Sequence, residues 1–378
     1  MDEQENKKLS LKEKIRFFFK NPKKRLIFII ITCLVVIIAA SATGFYFLRF
    51  KKEGTTVKPP EVNTDQTTNG NEEMTLYEAP LDGIMTDKTS AERHPLAISV
   101  ENDPAARPQS GLDKASIIYE TVYDPAATTR YLAVYATNEA EKVGPVRSIR
   151  TFFVDWAHGY NAYLGHWGGN IDALDKIIAE KAPDLDEFRY ANAYWREYGA
   201  GVSLDHTGYT STLKLRDQAA KNNYPTANNF TRYKFKDDAE DKTTLPESQK
   251  ISVNFSNASY MVSFQYDKAT NSYKKNLAGK PHIDKISKNQ LSPKNIIVMN
   301  VKRSKTVTRI NEPGYTMETI GTGKAQFFMD GTEITGTWKK TSTADREVFY
   351  DSNGQEITFN RGQTWICILP PGVDAQVE

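Results

Sequence analysis

The run LIFIIITCLVVIIAASATGFYFL, residues 26–48, holds 23 consecutive residues without a charge. As a helix rising ~1.5 Å per residue it would be about 34 Å long, enough to cross a hydrocarbon core of ~30 Å. The rest of the chain is then divided between the two sides of a membrane. Residues 1–25 carry nine of the 49 Lys and Arg residues against four of the 47 acids. The positive-inside rule keeps them as a cytoplasmic basic tail and sends the bulk of the chain out, anchored in the cytoplasmic membrane by a single pass. A cleaved signal peptide is the rival reading, because Ala40, Ser41 and Ala42 offer small residues to a peptidase. Its apolar region, however, should be only ~7–15 residues long.

Once the basic tail is set aside, the exported remainder is mildly acidic, and nucleic acid is not an expected partner. Outside the uncharged run, which contains Cys33, the one cysteine is Cys367 in TWICIL. An internal disulfide and a zinc–thiolate site are therefore both excluded there. An exported chain without disulfides suggests a bacterial surface protein whose stability rests on the size of its core.

Residues 49–80 are rich in Thr, Asn, Glu, Pro and Gly without apolar periodicity and read as a disordered tether. Residues 81–235 alternate short apolar strands (PLAISVE, SIIYETVY, RYLAVYAT, NAYLGHW) with helical patterns (SIRTFFVDWAHG, NIDALDKIIAEK). That texture predicts an α/β domain with a parallel or mixed sheet. A polar stretch around residues 224–250 ends it. Residues 250–373 predict a second, mostly β domain, with hairpin turns at Asp330-Gly331 and Asn353-Gly354.

Candidate chemistry gathers at three strand-to-helix junctions. In VGPVRSIRTFFVDWAHG, Ser148 is the expected N-cap and Gly159 the stop of an amphipathic helix. Arg147 and Arg150 at a helix N-terminus oppose the helix dipole, yet beside free N–H groups they would make an anion pocket. The bland alternative pairs them with acids such as Glu120 or Asp124. In NAYLGHWGGN, the strand passes His166, turns at Gly168-Gly169 and enters a helix capped by Asn170, with Asp172 in its first turn and Ile171, Leu174, Ile177 and Ile178 expected on the buried face. A lone histidine in such a strand is more often a hydrogen-bonded core residue than a catalyst. In SLDHTGYTSTLKLRDQAAKN, Thr210 or Ser211 caps a helix bearing Leu213, Ala219 and Ala220, and His206 lies upstream. If the strands are neighbours, Arg147, Arg150, His166 and His206 converge. The expected ligand-binding set is Arg147, Arg150, Glu120, Gly168, Gly169 and Asn170. HExxH, GxSxG and P-loop patterns are missing from the sequence, and no metal or cofactor is expected.

The blocks RPQSGLDKASIIYETVY, TRYLAVYATNEAEKVGPVRSIRTFFVDWA and GTWKKTSTADREVFYDSNGQEITFNRGQTWICILP resemble the YerB-like family of Gram-positive envelope proteins. The resemblance spans most of the exported part and implies an envelope location and two domains, with no activity or catalytic residues to carry over. Lipoprotein relatives would start their mature chain at an acylated cysteine after a small residue. Here Cys33 follows Thr32 and is trailed by fifteen more uncharged residues, so the span is expected to replace the lipid.

These observations favour a membrane-anchored extracytoplasmic protein that binds an anionic or glycan component of the cell envelope, such as a wall polymer. One alternative is a hydrolase or transferase acting on that material, with His166 or His206 as general base and Arg147 as clamp. Another is a protein-interaction scaffold, which the tyrosine content suits equally well.

Overall fold

The computed structural model describes residues 75–378 except residue 227. The basic tail, the uncharged run at 26–48 and most of the proposed tether lie outside the described residues. Among the described residues no helix is long and apolar enough to cross a membrane. The last tether residues are ordered: Tyr77–Glu78 pairs with Met85–Thr86.

The protein is mostly β with few helices. A ten-stranded sheet forms its centre. Its strands are β1 (Leu96–Glu101), β2 (Ile117–Val122), β3 (Thr129–Tyr135), β4 (Tyr163–His166) and β5 (Asp184–Asp186). A later group, β6 (Lys250–Asn254), β7 (Met261–Asp267) and β8 (Ser272–Leu277), belongs to a second sheet of five strands. The chain then returns to the large sheet with β9 (Asn295–Asn300), β10 (Gly321–Met329), β11 (Thr332–Lys340), β12 (Val348–Asp351) and β13 (Thr364–Leu369). The order across the large sheet is β12-β11-β10-β9-β13-β2-β3-β1-β4-β5.

The late strand β13 thus lies between β9 and β2, parallel to both, with Thr364 opposite Ile117 and Ile368 opposite Thr121. Both expected domains contribute to one sheet. β13 is buried along its whole length, as its unbroken apolar sequence requires of a strand covered on both faces. The Asp330-Gly331 hairpin joins β10 to β11 with both residues at positive φ, 56° and 69°, the geometry that matches strand twist.

The faces divide by alternation. Ile117, Tyr119, Ile366 and Ile368 meet α1 (Thr151–His158) and α2 (Ile171–Glu180) on one side. Ile118, Trp365 and Cys367 face the five-stranded sheet and α3 (Thr212–Lys221) on the other. Asn170 and Ser211 cap α2 and α3 by accepting from Ala173 N and Lys214 N. Ser148 does not cap α1: Arg150 holds that position without a side-chain bond, because Ser148 Oγ donates to Trp167 O at 3.2 Å. The expected buried face of α2 was too wide. Ile178 and Leu213 are 63% and 55% exposed and Ala220 is also exposed; Ala173 with Ile177, and Leu215 with Ala219, do the packing at i, i+4 spacing.

Glu120 is not a ligand for the arginines at the junctions. It is fully buried between the sheets, where its carboxylate lies 3.5 Å from Lys275 Nζ and accepts from Trp365 Nε1 at 3.1 Å. The ammonium also faces the Trp365 ring at 4.4 Å. Burial pulls Lys275 below the ordinary lysine range and Glu120 opposes that pull. Lys275 Nζ meets His282 Nδ1 at 3.2 Å, which leaves the proton on Nε2 to donate to Gln109 Oε1 at 2.8 Å.

Removing one partner of such a pair strands the other, so Lys275→Ala is expected to lower the unfolding free energy by ~3–5 kcal/mol in urea titrations. His282 carries a pH signature. Burial first, and Lys275 second, hold its pKa well below the usual value. Below about pH 6.5 the unfolded chain takes up a proton that the folded one refuses, and stability falls with pH. Denaturation midpoints measured from pH 6.5 to about 5 should show a progressive loss of stability from this residue, and His282→Gln should lack that loss.

Candidate functional site

Strands β1 and β4 run parallel, Leu96 beside Tyr163 and Ile98 beside Gly165. Their carboxyl ends open onto the edge where α/β sheets form binding crevices. The segment after β3 returns across that edge. Arg147 N donates to Ser99 O at 2.9 Å, Trp167 N to Arg147 O at 3.2 Å, and Ile149 bridges Gly169 in parallel. This pairing holds Arg147 and Ser148 extended and aims the Arg147 side chain outward. A crevice of about 290 Å³ results, lined by Arg147, Trp167, Gly168, Gly169, Arg196 and Asp205 among others.

Gly168 has φ +61°, and a Cβ there would come within 2.7 Å of the Phe188 ring. A Cβ on Gly208 would meet the Trp167 ring at 2.4 Å. Both positions need glycine, one for its left-handed backbone and the other for flat packing of the indole. The Arg196 guanidinium lies 4.1 Å over the Trp167 ring and is fixed by Leu204 O at 2.6 Å and Thr207 Oγ1 at 3.0 Å. Among the described residues it forms no ion pair with a carboxylate. Arg147 is pinned between Glu101 and Asp205, each at 3.1 Å.

His206 joins the same network through Nδ1, 2.9 Å from Glu101 Oε2, and its Nε2 lies 4.0 Å from Asp103 Oδ1. Glu101 therefore holds Arg147 and His206 together, two of the four residues expected to converge. His166 does not join them. It is fully buried, with Nε2 2.8 Å from Asp184 Oδ1 and Nδ1 2.9 Å from Gly168 O. Both ring nitrogens are engaged, and neither can serve a ligand as a base. With Asp186, which accepts from Gly168 N at 2.8 Å, the histidine instead locks the Gly168-Gly169 turn. Arg150 also turns away, onto Tyr123. Asn170 spends its side chain on the cap of α2.

Trp167, Arg196, Glu101 and Asp205 escaped the sequence reading. The nearest signal was the aromatic abutting the Gly-Gly pair; Arg196, in AYWREYG, has no periodic context at all. Among the described residues no cluster of His, Cys, Asp and Glu could hold a metal ion. Cys367 is buried, and burial pushes its thiol well above the ordinary range.

Residues 81–225 match the family described as "Protein of unknown function (DUF3048) N-terminal domain", and residues 251–366 its C-terminal domain. Over 297 residues the chain is 29% identical to "Putative lipoprotein YerB" of Bacillus subtilis strain 168, covering 77% of this chain and 86% of that protein. A crystal structure of YerB protein from Bacillus subtilis superposes with a TM-score of 0.69 at 27% identity, covering 80% of this chain and 99% of the other.

His166→Ala should leave the crevice residues in place chemically but unlock their floor. Calorimetry is expected to show destabilisation of about 1–3 kcal/mol for each partner left unpaired. An unchanged melting transition would mean that the histidine does not bear on the fold.

Proposed function

The chain belongs to the DUF3048 family, whose domains are described as of unknown function, and from that premise we propose that it is an envelope protein whose crevice binds an anionic or glycan ligand. The observation that carries this reading is the Arg196 guanidinium stacked on Trp167 above the Gly168-Gly169 turn, with Arg147 alongside. Guanidinium groups suit the phosphate or carboxylate oxygens of an anionic polymer or a charged glycan. A volume of about 290 Å³ is at the lower end of ligand sites and suits one unit of a polymer. The lipoprotein description of the Bacillus relative supports attachment to the membrane. In this chain the uncharged run at residues 26–48 is the proposed anchor, with the N-terminus inside.

A second reading has one observation in its favour. Glu101 orients His206 through Nδ1, the arrangement that prepares a general base, and would allow a hydrolase or transferase on the same ligand.

Equilibrium binding of purified wall and teichoic fragments to the full chain in detergent micelles tests the first reading. Affinity should exceed that for a charge-matched control polymer and fall by about tenfold in Arg196→Ala. Binding no tighter than the control overturns it. Turnover of those fragments that disappears in His206→Ala would establish the enzymatic reading instead.

A further inference from the structure

Arg130 and Arg150 share one aromatic ring. Their guanidinium carbons lie 3.7 and 4.8 Å from the centre of Tyr123. Both turn Nη1 onto Ser148 O, at 2.7 and 3.3 Å, and Arg150 Nη1 also reaches Ile149 O at 3.0 Å. These acceptors are neutral carbonyls. Among the described residues neither guanidinium forms an ion pair with a carboxylate, whereas Arg147 close by has two.

Arg130 is 1% exposed and its Nε has no hydrogen-bond partner. Burial lowers the pKa of both groups, and for Arg150 the charge of Arg130 is the next cause, bringing it to about 9. The two cations share a largely buried site with no carboxylate of the described residues in ion-pair contact, only Asp124 and Glu101 acting on them from further off, which is an unfavourable arrangement for a protein interior. The face of Tyr123 offsets part of that cost. The first turn of α1 adds to the imbalance, because Arg150 is its N-cap and supplies no acceptor to the N–H groups there.

We propose that Arg130 and Arg150, stacked on Tyr123 at the start of α1, form a binding site for a phosphate group, carried by a monoester or diester. A phosphate oxygen supplies the missing negative charge to both guanidinium forks, and Arg150, which is partly exposed, is its way in. The site shares no guanidinium with the Trp167 crevice, though its two arginines donate to the carbonyl of Ser148, which also lines that crevice.

The test follows thermal unfolding of the full chain in detergent as inorganic phosphate or glycerol phosphate is titrated against chloride at equal ionic strength. Phosphate is expected to raise the midpoint progressively in the wild type. In Arg150→Ala and in Arg150→Gln the apparent affinity should fall at least about tenfold. Both variants should melt no earlier than wild type without phosphate, since they remove the repulsion between Arg150 and Arg130. Arg303, stacked on Tyr315 at 5.0 Å, is the control, and Arg303→Ala should respond like wild type. A wild type indifferent to phosphate overturns the proposal, and so does a response that survives both Arg150 substitutions or that Arg303→Ala also loses. The crevice is read separately through Arg196→Ala and polymer binding, so failure at one site leaves the other standing.

Discussion

Glu120 and Lys275 meet where neither can be solvated, on strands from the two sheets, and the packing of one sheet on the other is organised around them. Asn102 Nδ2 and Thr129 Oγ1 reach the same carboxylate at 3.2 and 3.3 Å, and Gln109 carries the network on to the backbone at Glu101 O. Displacing any member leaves the next unsatisfied in a low-dielectric interior, so the network moves as a unit or not at all. Apolar residues of equal volume could match such a pair in net stability. What the charges add is placement: the ammonium has to sit by Trp365 and the carboxylate, and one alignment of β8 over β2 and β13 achieves it. Glu101, at the end of that network, is also the acid that holds Arg147 and His206 at the crevice.

One residue earlier on β2 the side chain points to the opposite face and does comparable work. Tyr119 OH lies 2.5 Å from Tyr160 OH and donates to Glu347 Oε2 at 2.9 Å, and Tyr160 OH lies 2.9 Å from Tyr233 OH. Burial pushes all three phenols up, so they remain hydroxyl donors. Lys340 Nζ donates to Asp155 O and ties the end of β11 to α1. The helix that begins with Arg150 is thus fastened to the late strands of the sheet. The candidate sites draw on strands and on the loops at their ends, and the elements beneath them are held by buried polar chains on both faces of β2, the rigid support that binding residues require.

The strands and helices were legible because the apolar residues recur at the right periods: α1 and α2 at helical spacing, β13 as an unbroken run, the β10–β11 hairpin at its Asp-Gly turn. Asn170 was legible as a cap because its bond is local. Ser148 misled because its hydroxyl is claimed by Trp167 O, across a strand pairing that no local pattern announces. Glu120 was the same case on a larger scale, its partner lying 155 positions away in the chain. His166 was correctly placed beside the Gly-Gly turn, yet its ring serves the turn itself through Asp184 and Gly168. Arg196 and Trp167 meet because Tyr194–Arg196 pairs with Gly208–Thr210, two three-residue strands too short to leave a periodic trace.

The position of β13 has a kinetic meaning. The strand that seals the centre of the large sheet is made last, residues 364–368 docking beside residues 117–121. Until it arrives, β2 and β9 each present an unpaired edge in the middle of what will become the core. Such long-range, parallel closure is slow, and open edges of this kind invite pairing between chains. A chain emerging from its N-terminal end cannot complete its first half ahead of its second, and truncation at the C-terminus removes the keystone rather than an appendage.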